Sequence, residues 1–142
     1  MAFTLSAQVN YEYFMAVGRN ELANENFREA INKFTVVINV RPDSFEAYFL
    51  RGIAKYNLGD FVGAEQDFTK TVELHPLYSF GYHYRGIVRD QLHDYYKALT
   101  DLDKAIELDP FNPHLYVSRG AVKLHLESFL WSIIDFDSAL SM

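Results

Sequence analysis

Arginine and aspartate recur together three times in this sequence, and their constant spacing makes them the first candidates for a chemical role. The arginines are 34 residues apart and each is followed 16 residues later by an aspartate, which gives the pairs Arg51–Asp67, Arg85–Asp101 and Arg119–Asp135. A guanidinium holds a carboxylate through two parallel hydrogen bonds. The arginines could therefore bind a carboxylate ligand or form structural ion pairs. We favour structural ion pairs, because each arginine has its own acidic partner in the chain.

Other side chains give weak chemical signals. No histidine has a second histidine four residues away or a carboxylate at the spacing of a metal site, and the five are His75, His83, His93, His114 and His125. The sequence contains no cysteine, no glycine-rich phosphate loop and no Gly-x-Ser-x-Gly nucleophile motif. We therefore predict that the chain is not an enzyme and has no catalytic residues, no metal site and no cofactor.

Composition narrows the range of partners. The 142-residue chain has a net charge of -6 and 49% hydrophobic residues, so it has no surplus of cations to neutralise phosphates. We expect neither nucleic acid nor an anionic membrane as a partner, and no window reaches the roughly 18 unbroken apolar residues of a membrane span. The lack of cysteine, and of a leader pattern in residues 1–10, leads us to expect a cytoplasmic protein.

The elements that position these side chains are set by a repeat of 34 residues. Four glycines keep this interval, Gly18, Gly52, Gly86 and Gly120, and so do three prolines, Pro42, Pro76 and Pro110. With Tyr11 as position 1, the units are Tyr11–Ser44, Phe45–Tyr78, Ser79–Asn112 and Pro113–Met142. Residues 1–10 form an N-terminal extension, and we treat residues 1–142 as a single domain. A strict period indicates one folding unit repeated four times.

Each unit has the pattern of a helical hairpin. Position 4 is always aromatic, as Phe14, Tyr48, Tyr82 and Tyr116, and position 20 is always small, as Ala30, Ala64, Ala98 and Ser132. Residues four apart share one face of a helix, and each proline closes a unit because it cannot continue a helix. In an antiparallel hairpin, the arginine at position 7 and the aspartate at position 23 lie at similar heights, so we expect the ion pairs to form either within a unit or one unit removed.

These residues resemble the tetratricopeptide repeat family, whose 34-residue unit has aromatic, glycine, alanine and proline residues at the same positions. The resemblance runs from Tyr11 to the C-terminus, and it implies an all-α fold: a right-handed superhelix (α-solenoid) of four helix-turn-helix hairpins that binds proteins. Two positions depart from the family pattern. Position 7, usually aliphatic, is arginine in three units, and position 11, often aromatic, is Glu21, Lys55, Arg89 and Lys123.

The resemblance also implies a binding groove along the inner wall, formed by the first helix of each hairpin. The residues that would line it are mostly apolar and aromatic: Phe49, Leu50, Ile53, Tyr56, Phe80, His83, Tyr84, Ile87, His114 and Val117. Exposed apolar surface rich in aromatic residues is typical of an interaction site. We predict that the groove binds a protein or peptide partner. The alternative is that tight curvature, or the N-terminal segment Phe3-Thr4-Leu5, covers these side chains.

The family's known carboxylate clamp, which grips the C-terminal tails of heat-shock chaperones, is not matched here. Its lysine, asparagine and arginine positions hold Met15, Arg19, Leu50, Phe80 and Tyr84 in one frame, or Phe49, Ile53, Tyr84, His114 and Ser118 in the next. We therefore disfavour chaperone tails and expect an apolar or amphipathic peptide.

The C-terminal segment suggests a different role. Its apolar residues are more than one hairpin can bury, and Trp131 and Ile134 occupy positions outside the repeat pattern. The chain could belong to a longer array, fold on a partner, or pair with a second copy. The alternative to peptide binding is thus a structural homo-oligomer, such as a homodimer, that associates through the last repeat.

Overall fold

The computed structural model of the chain describes residues 2–142, with side chains from Asn10 onward. It contains eight α-helices over this range, and no described residue forms a strand. The helices are α1 (Ala2–Ala23), α2 (Phe27–Val40), α3 (Phe45–Asn57), α4 (Phe61–Leu74), α5 (Ser79–Gln91), α6 (Tyr95–Leu108), α7 (Pro113–His125) and α8 (Phe129–Leu140). The predicted all-α helical-repeat fold of four hairpins is confirmed. The side chains of Phe3, Thr4 and Leu5, which could have covered the groove, lie outside the described residues.

The two helices of each hairpin are joined by a tight turn with one residue in the left-handed region. These residues all stand at position 15, and their φ angles are 60° at Glu25, 79° at Gly59, 62° at His93 and 56° at Glu127. Glycine adopts this region without steric cost, whereas residues with a side chain do so at a cost. The geometry of the repeat therefore demands the turn even in the three units that lack glycine there.

The chain divides into two compact halves, residues 1–74 and residues 75–142, which are called the first and the second unit from here on, and each contains two of the helical hairpins. In the first unit, α1 pairs with α2 and α3 with α4, and α2 also packs on α3. The core joins Met15, Phe34, Val37 and Ala47, all of which are buried. A Cβ on Gly52 would lie 2.7 Å from the ring of Phe68, so only glycine allows α3 and α4 to approach this closely.

The second unit repeats this arrangement with α5 paired to α6, α7 paired to α8, and α6 packed on α7. Its buried residues include Ala98, Leu102 and Val122, which form one cluster across α6 and α7. None of the described helices is long and apolar enough to cross a lipid bilayer.

Candidate functional site

The second unit has an open pocket between the first helices of its two hairpins, α5 and α7. Its volume is about 310 Å³. Six of the residues predicted to line the groove form its wall together with Asn112 and Ser118, and the six are Phe80, His83, Tyr84, Ile87, His114 and Val117. The helix register explains this wall, because Phe80, Tyr84 and Ile87 follow at intervals of four and three residues on one face of α5.

A buried histidine and a serine meet in this pocket. His83 is only 8% exposed, and its Nε2 lies 2.8 Å from Oγ of Ser118. Its other ring nitrogen, Nδ1, is buried and has no hydrogen-bond partner among the described residues. We assign the ring proton to Nε2, because a buried N–H without an acceptor costs more than an unused acceptor nitrogen. Nε2 then donates to Ser118, and the hydroxyl proton of Ser118 is available to an acceptor in the pocket.

The same environment keeps His83 uncharged. Burial, with a smaller electrostatic contribution from the neighbouring His114, lowers the pKa of His83 to about 4. A histidine that is so weakly basic is a poor general base at neutral pH. The His83–Ser118 pair therefore has the spacing of a base and a nucleophile but not the basicity.

The four other residues predicted for the groove lie in the first unit. The ring of Phe49 is 5.8 Å from the ring of Phe68, measured between centroids, and the ring of Tyr56 is 5.7 Å from that of Phe61. Leu50 packs against the core of this unit. These three residues and Ile53 are half-buried, so part of each side chain is already used in packing.

The structure brings together each of the three predicted arginine–aspartate pairs. Nη2 of the arginine lies 2.7 Å from Oδ1 of the aspartate in all three, namely Arg51–Asp67, Arg85–Asp101 and Arg119–Asp135. Nε donates to the other carboxylate oxygen at 2.9, 2.9 and 3.1 Å. Both members of each pair lie in one hairpin, and the aspartates are buried. This two-pronged geometry favours the structural alternative over ligand capture.

Sequence reasoning missed a second cation on each aspartate. Position 11 supplies it: Lys55 lies 2.8 Å from Asp67, Arg89 2.8 Å from Asp101, and Lys123 2.7 Å from Asp135. The signal was present, because position 11 is basic only in the three units that have aspartate at position 23. Burial opposes ionisation of Asp135, but its bonds to Arg119 and Lys123 outweigh that effect and hold its pKa below the usual value.

Each of these arginines also lies over the aromatic ring at position 4 of its own unit. The guanidinium carbon is 5.6 Å from the ring centroid in all three cases, which are Arg51 over Tyr48, Arg85 over Tyr82 and Arg119 over Tyr116. Arginine suits this position because its flat guanidinium stacks on a ring while its edge binds a carboxylate.

The last helix, α8, exposes large apolar side chains. Trp131 is 61% exposed and Ile134 is 45% exposed, and both occupy positions outside the repeat pattern. Phe129, Leu130, Ile133 and Leu140 are also exposed. A run of exposed apolar residues this dense is unusual on a monomer surface.

Comparisons with known proteins agree with the repeat. Models of the tetratricopeptide repeat match residues 15–79 and residues 79–112. No curated protein sequence matches the chain.

Solved structures with this fold include several described as tetratricopeptide repeat domains. MamA is similar over 99% of this chain and 82% of its own, with 22% identity and a TM-score of 0.89, a likeness that shows the fold alone. The first repeat domain of Spaghetti (RPAP3), bound to the HSP90 peptide SRMEEVD, covers 85% of this chain and 93% of its own at 26% identity and a TM-score of 0.78. The second repeat domain of human RPAP3, in complex with the HSP70 peptide SGPTIEEVD, covers 82% of this chain and 98% of its own at 20% identity and a TM-score of 0.79.

Proposed function

The chain belongs to the tetratricopeptide repeat family, and we propose that it is a non-catalytic scaffold that binds an apolar or amphipathic peptide. The observation that carries the proposal is the pocket of the second unit. Its wall has apolar and aromatic side chains together with a few polar groups, which is the usual composition of a site that recognises a peptide. Repeat domains of similar structure hold peptides, as the two RPAP3 complexes do.

The pocket favours an apolar side chain of the peptide. Phe80 and Val117 are each 47% exposed at its rim, and Tyr84 and Ile87 are half-buried between them. None of the eight lining residues is Asp, Glu, Lys or Arg. An apolar side chain therefore gains by leaving water here, whereas a charged one would lose hydration without meeting an opposite charge.

Ser118 provides a polar anchor. In the tautomer assigned above, the Ser118 oxygen accepts a hydrogen bond from Nε2–H of His83, so the Ser118 hydroxyl can itself donate a hydrogen bond to a carbonyl oxygen of the peptide main chain. One such bond fixes where the peptide lies without selecting its sequence. The four predicted groove residues of the first unit, Phe49, Leu50, Ile53 and Tyr56, remain predicted ligand contacts.

Chaperone tails are the main competitor for this role. SRMEEVD and SGPTIEEVD, the peptides in the RPAP3 complexes, carry several carboxylates, including the one at the C-terminus. Such a tail needs fixed cations, and the pocket offers only His114, an imidazole at its rim. We therefore keep the apolar peptide as the proposal, and the experiment below includes both tails.

The test is a selection of random peptides on the immobilised full chain, followed by titration of an enriched peptide by calorimetry. We expect the enriched sequences to contain apolar residues at helical spacing. Tyr84→Ala should weaken binding at least about tenfold, because truncating a central aromatic residue of an interface commonly costs more than 1–2 kcal/mol. Tyr96→Ala is the matched control, since Tyr96 is 76% exposed on α6 and does not line the pocket.

Two results would contradict the proposal. One is tighter binding of SRMEEVD or SGPTIEEVD than of any selected apolar peptide. The other is an equal affinity of Tyr84→Ala and Tyr96→Ala for the selected peptide.

A second candidate function is self-association through the last repeat. It is favoured by the exposed apolar residues of α8, among them Trp131 and Ile134, because such a surface gains free energy when a second surface covers it. The cytoplasmic location stays a prediction from the sequence.

A further inference from the structure

One side of α8 is an apolar stripe formed by Phe129, Ile133, Phe136 and Leu140. These residues follow at intervals of four, three and four, so they lie along a single face of the helix. Phe129 is 61%, Ile133 54% and Leu140 86% exposed, and Phe136 is half-buried.

The corresponding stripe of α2 is covered by the helix that follows it. Phe27, Ile31, Phe34 and Ile38 occupy the same repeat positions in the first hairpin. They belong to one core with Ala47 and Ala54 of α3. Ile38, the counterpart of Leu140, is only 9% exposed.

The stripe of α6 is also covered, by α7. Tyr95, Leu99 and Leu102 pack in a cluster with Val122 of α7, and Tyr95 lies 5.4 Å from the ring of His125. In both hairpins the stripe receives a helix. The stripe of α8 has the same chemistry and the same spacing, so it is suited to receive a helix as well.

A pocket of about 320 Å³ lies beside the C-terminal half of this stripe. It is lined by Pro113, His114 and Val117 of α7 and by Phe136, Ala139 and Leu140 of α8. The equivalent side chain to Val117 in the first hairpin is Met15, which is 2% exposed, whereas Val117 is 47% exposed. An aromatic side chain entering this pocket would restore the burial seen in the first hairpin.

We infer that the occupant is α8 of a second copy of this chain, packed antiparallel. The intervals four, three and four read the same in both directions. In an antiparallel pair, Phe129 therefore opposes Leu140 of the second copy, and Ile133 opposes Phe136. Phe129 of each copy then enters the pocket of the other, and the two-fold symmetry closes the assembly at a dimer. This inference rests on the self-association candidate above, but it places the interface on the stripe instead of on Trp131 and Ile134, the residues to which the sequence pointed.

Continuation of the repeat from one copy into the next is disfavoured by α1. The helix that covers α2 presents Ala47, Leu50 and Ala54 at positions 3, 6 and 10, whereas α1 has Tyr13, Ala16 and Asn20 there. Tyr13 is bulky and 61% exposed, and Asn20 would place an amide against the apolar stripe. The symmetric pair avoids both problems, because no stripe residue is polar.

The interface is small. Four side chains on each copy, together with the pocket, correspond to the lower end of specific interfaces, below about 1,200 Å² in total. The dimer is therefore weak and depends on concentration.

The experiment is sedimentation velocity of the full chain over a range of concentrations reaching about 500 μM, where a dimer with a Kd of about 50 μM is mostly assembled. Phe129→Glu places a charge on the stripe and is expected to be monomeric. Trp131→Glu is the matched control: Trp131 is equally exposed, at 61%, but lies about 200° around the helix from Phe129. It is expected to dimerise like the wild type, and circular dichroism verifies that both variants keep their helices.

Disulfide trapping tests the antiparallel register. The wild type has no cysteine, so Phe129→Cys and Leu140→Cys can be prepared separately and mixed under mild oxidation. The mixture is expected to form the covalent dimer, whereas either variant alone is not, because two copies of residue 129 would be about 16 Å apart along the helix axis.

Three outcomes overturn the inference. The wild type is monomeric at every concentration, or Trp131→Glu is monomeric while Phe129→Glu still dimerises, or the mass of the wild type rises beyond that of two copies. Tyr84 lies outside the stripe, so Tyr84→Ala is expected to dimerise normally. Tyr84→Ala thus tests peptide binding and Phe129→Glu tests dimerisation, so the failure of one proposal can be distinguished from the failure of the other.

Discussion

The buried histidine of the pocket makes stability depend on pH in a way that can be calculated. Burial lowers the pKa of His83 from 6.5 to about 4. The unfolded chain therefore binds a proton at this residue below about pH 6.5, whereas the folded chain does not until about pH 4. Because the unfolded state holds more protons in this window, the free energy of unfolding falls as the pH is lowered.

The difference of about 2.5 between the two pKa values corresponds to a maximum loss of about 3 kcal/mol, reached below pH 4. Between pH 8 and pH 5 the same two values give a loss of about 2 kcal/mol. Most carboxylates remain ionised throughout that interval. His83→Gln should abolish this loss, because the glutamine amide can still donate to Ser118 but does not titrate.

The assay is urea unfolding of wild type and His83→Gln at pH 8 and at pH 5. We expect the wild type to lose about 2 kcal/mol more than the variant, since all other titrating groups are common to both chains. Titration of the His83 ring by NMR is an independent measurement of the same pKa. Equal losses in the two proteins, or a midpoint for His83 at pH 6 or above, would refute the reasoning.

Two further predictions concern the scaffold. Arg51→Ala should lower the free energy of unfolding by about 3 kcal/mol, because it leaves the buried carboxylate of Asp67 without its main partner. Arg19→Ala breaks only the exposed pair with Glu46 and should lower the free energy of unfolding by less than about 1 kcal/mol. Similar midpoints of urea unfolding for the two variants would contradict this prediction. Glu127→Gly should raise the free energy of unfolding by about 1 kcal/mol, because glycine relieves the left-handed turn at φ 56°; a lower melting temperature would count against it.

The arginine–aspartate pairs hold the hairpins together and are distinct from the residues that form the candidate binding surfaces. They are the most regular charged residues in the sequence, yet each is bound to a partner in its own hairpin. Charged residues that recur at the same position of each repeat therefore stabilise the hairpin. The pocket and the stripe are instead formed by residues that differ from repeat to repeat, or by repeat positions that no described helix covers.

Much of the fold followed from the sequence because a hairpin is a local structure. The partners in each ion pair are 16 residues apart, a distance that the repeat holds constant. The same regularity predicted the helices and their turns. The second cation at position 11 could also have been found, because its sign varies together with that of position 23.

The candidate site depended more on tertiary structure. Six of the ten predicted groove residues line one pocket of the second unit, and the other four lie in the first unit. His83 and Ser118 are 35 residues apart, and the burial that lowers the pKa of His83 comes from helices that no local pattern brings together.

The repeat, the hairpins and the pairing of charges within them could be read from the sequence, because short-range spacing on a helix decides which side chains meet. The apolar residues that stay in water could be identified only from the packing of the helices. Trp131 and Phe129 are equally exposed, and the sequence pointed to Trp131. Phe129 belongs to a stripe whose counterparts on α2 and α6 are packed against the next helix. The sequence alone could not show this, because burial depends on neighbours from distant parts of the chain.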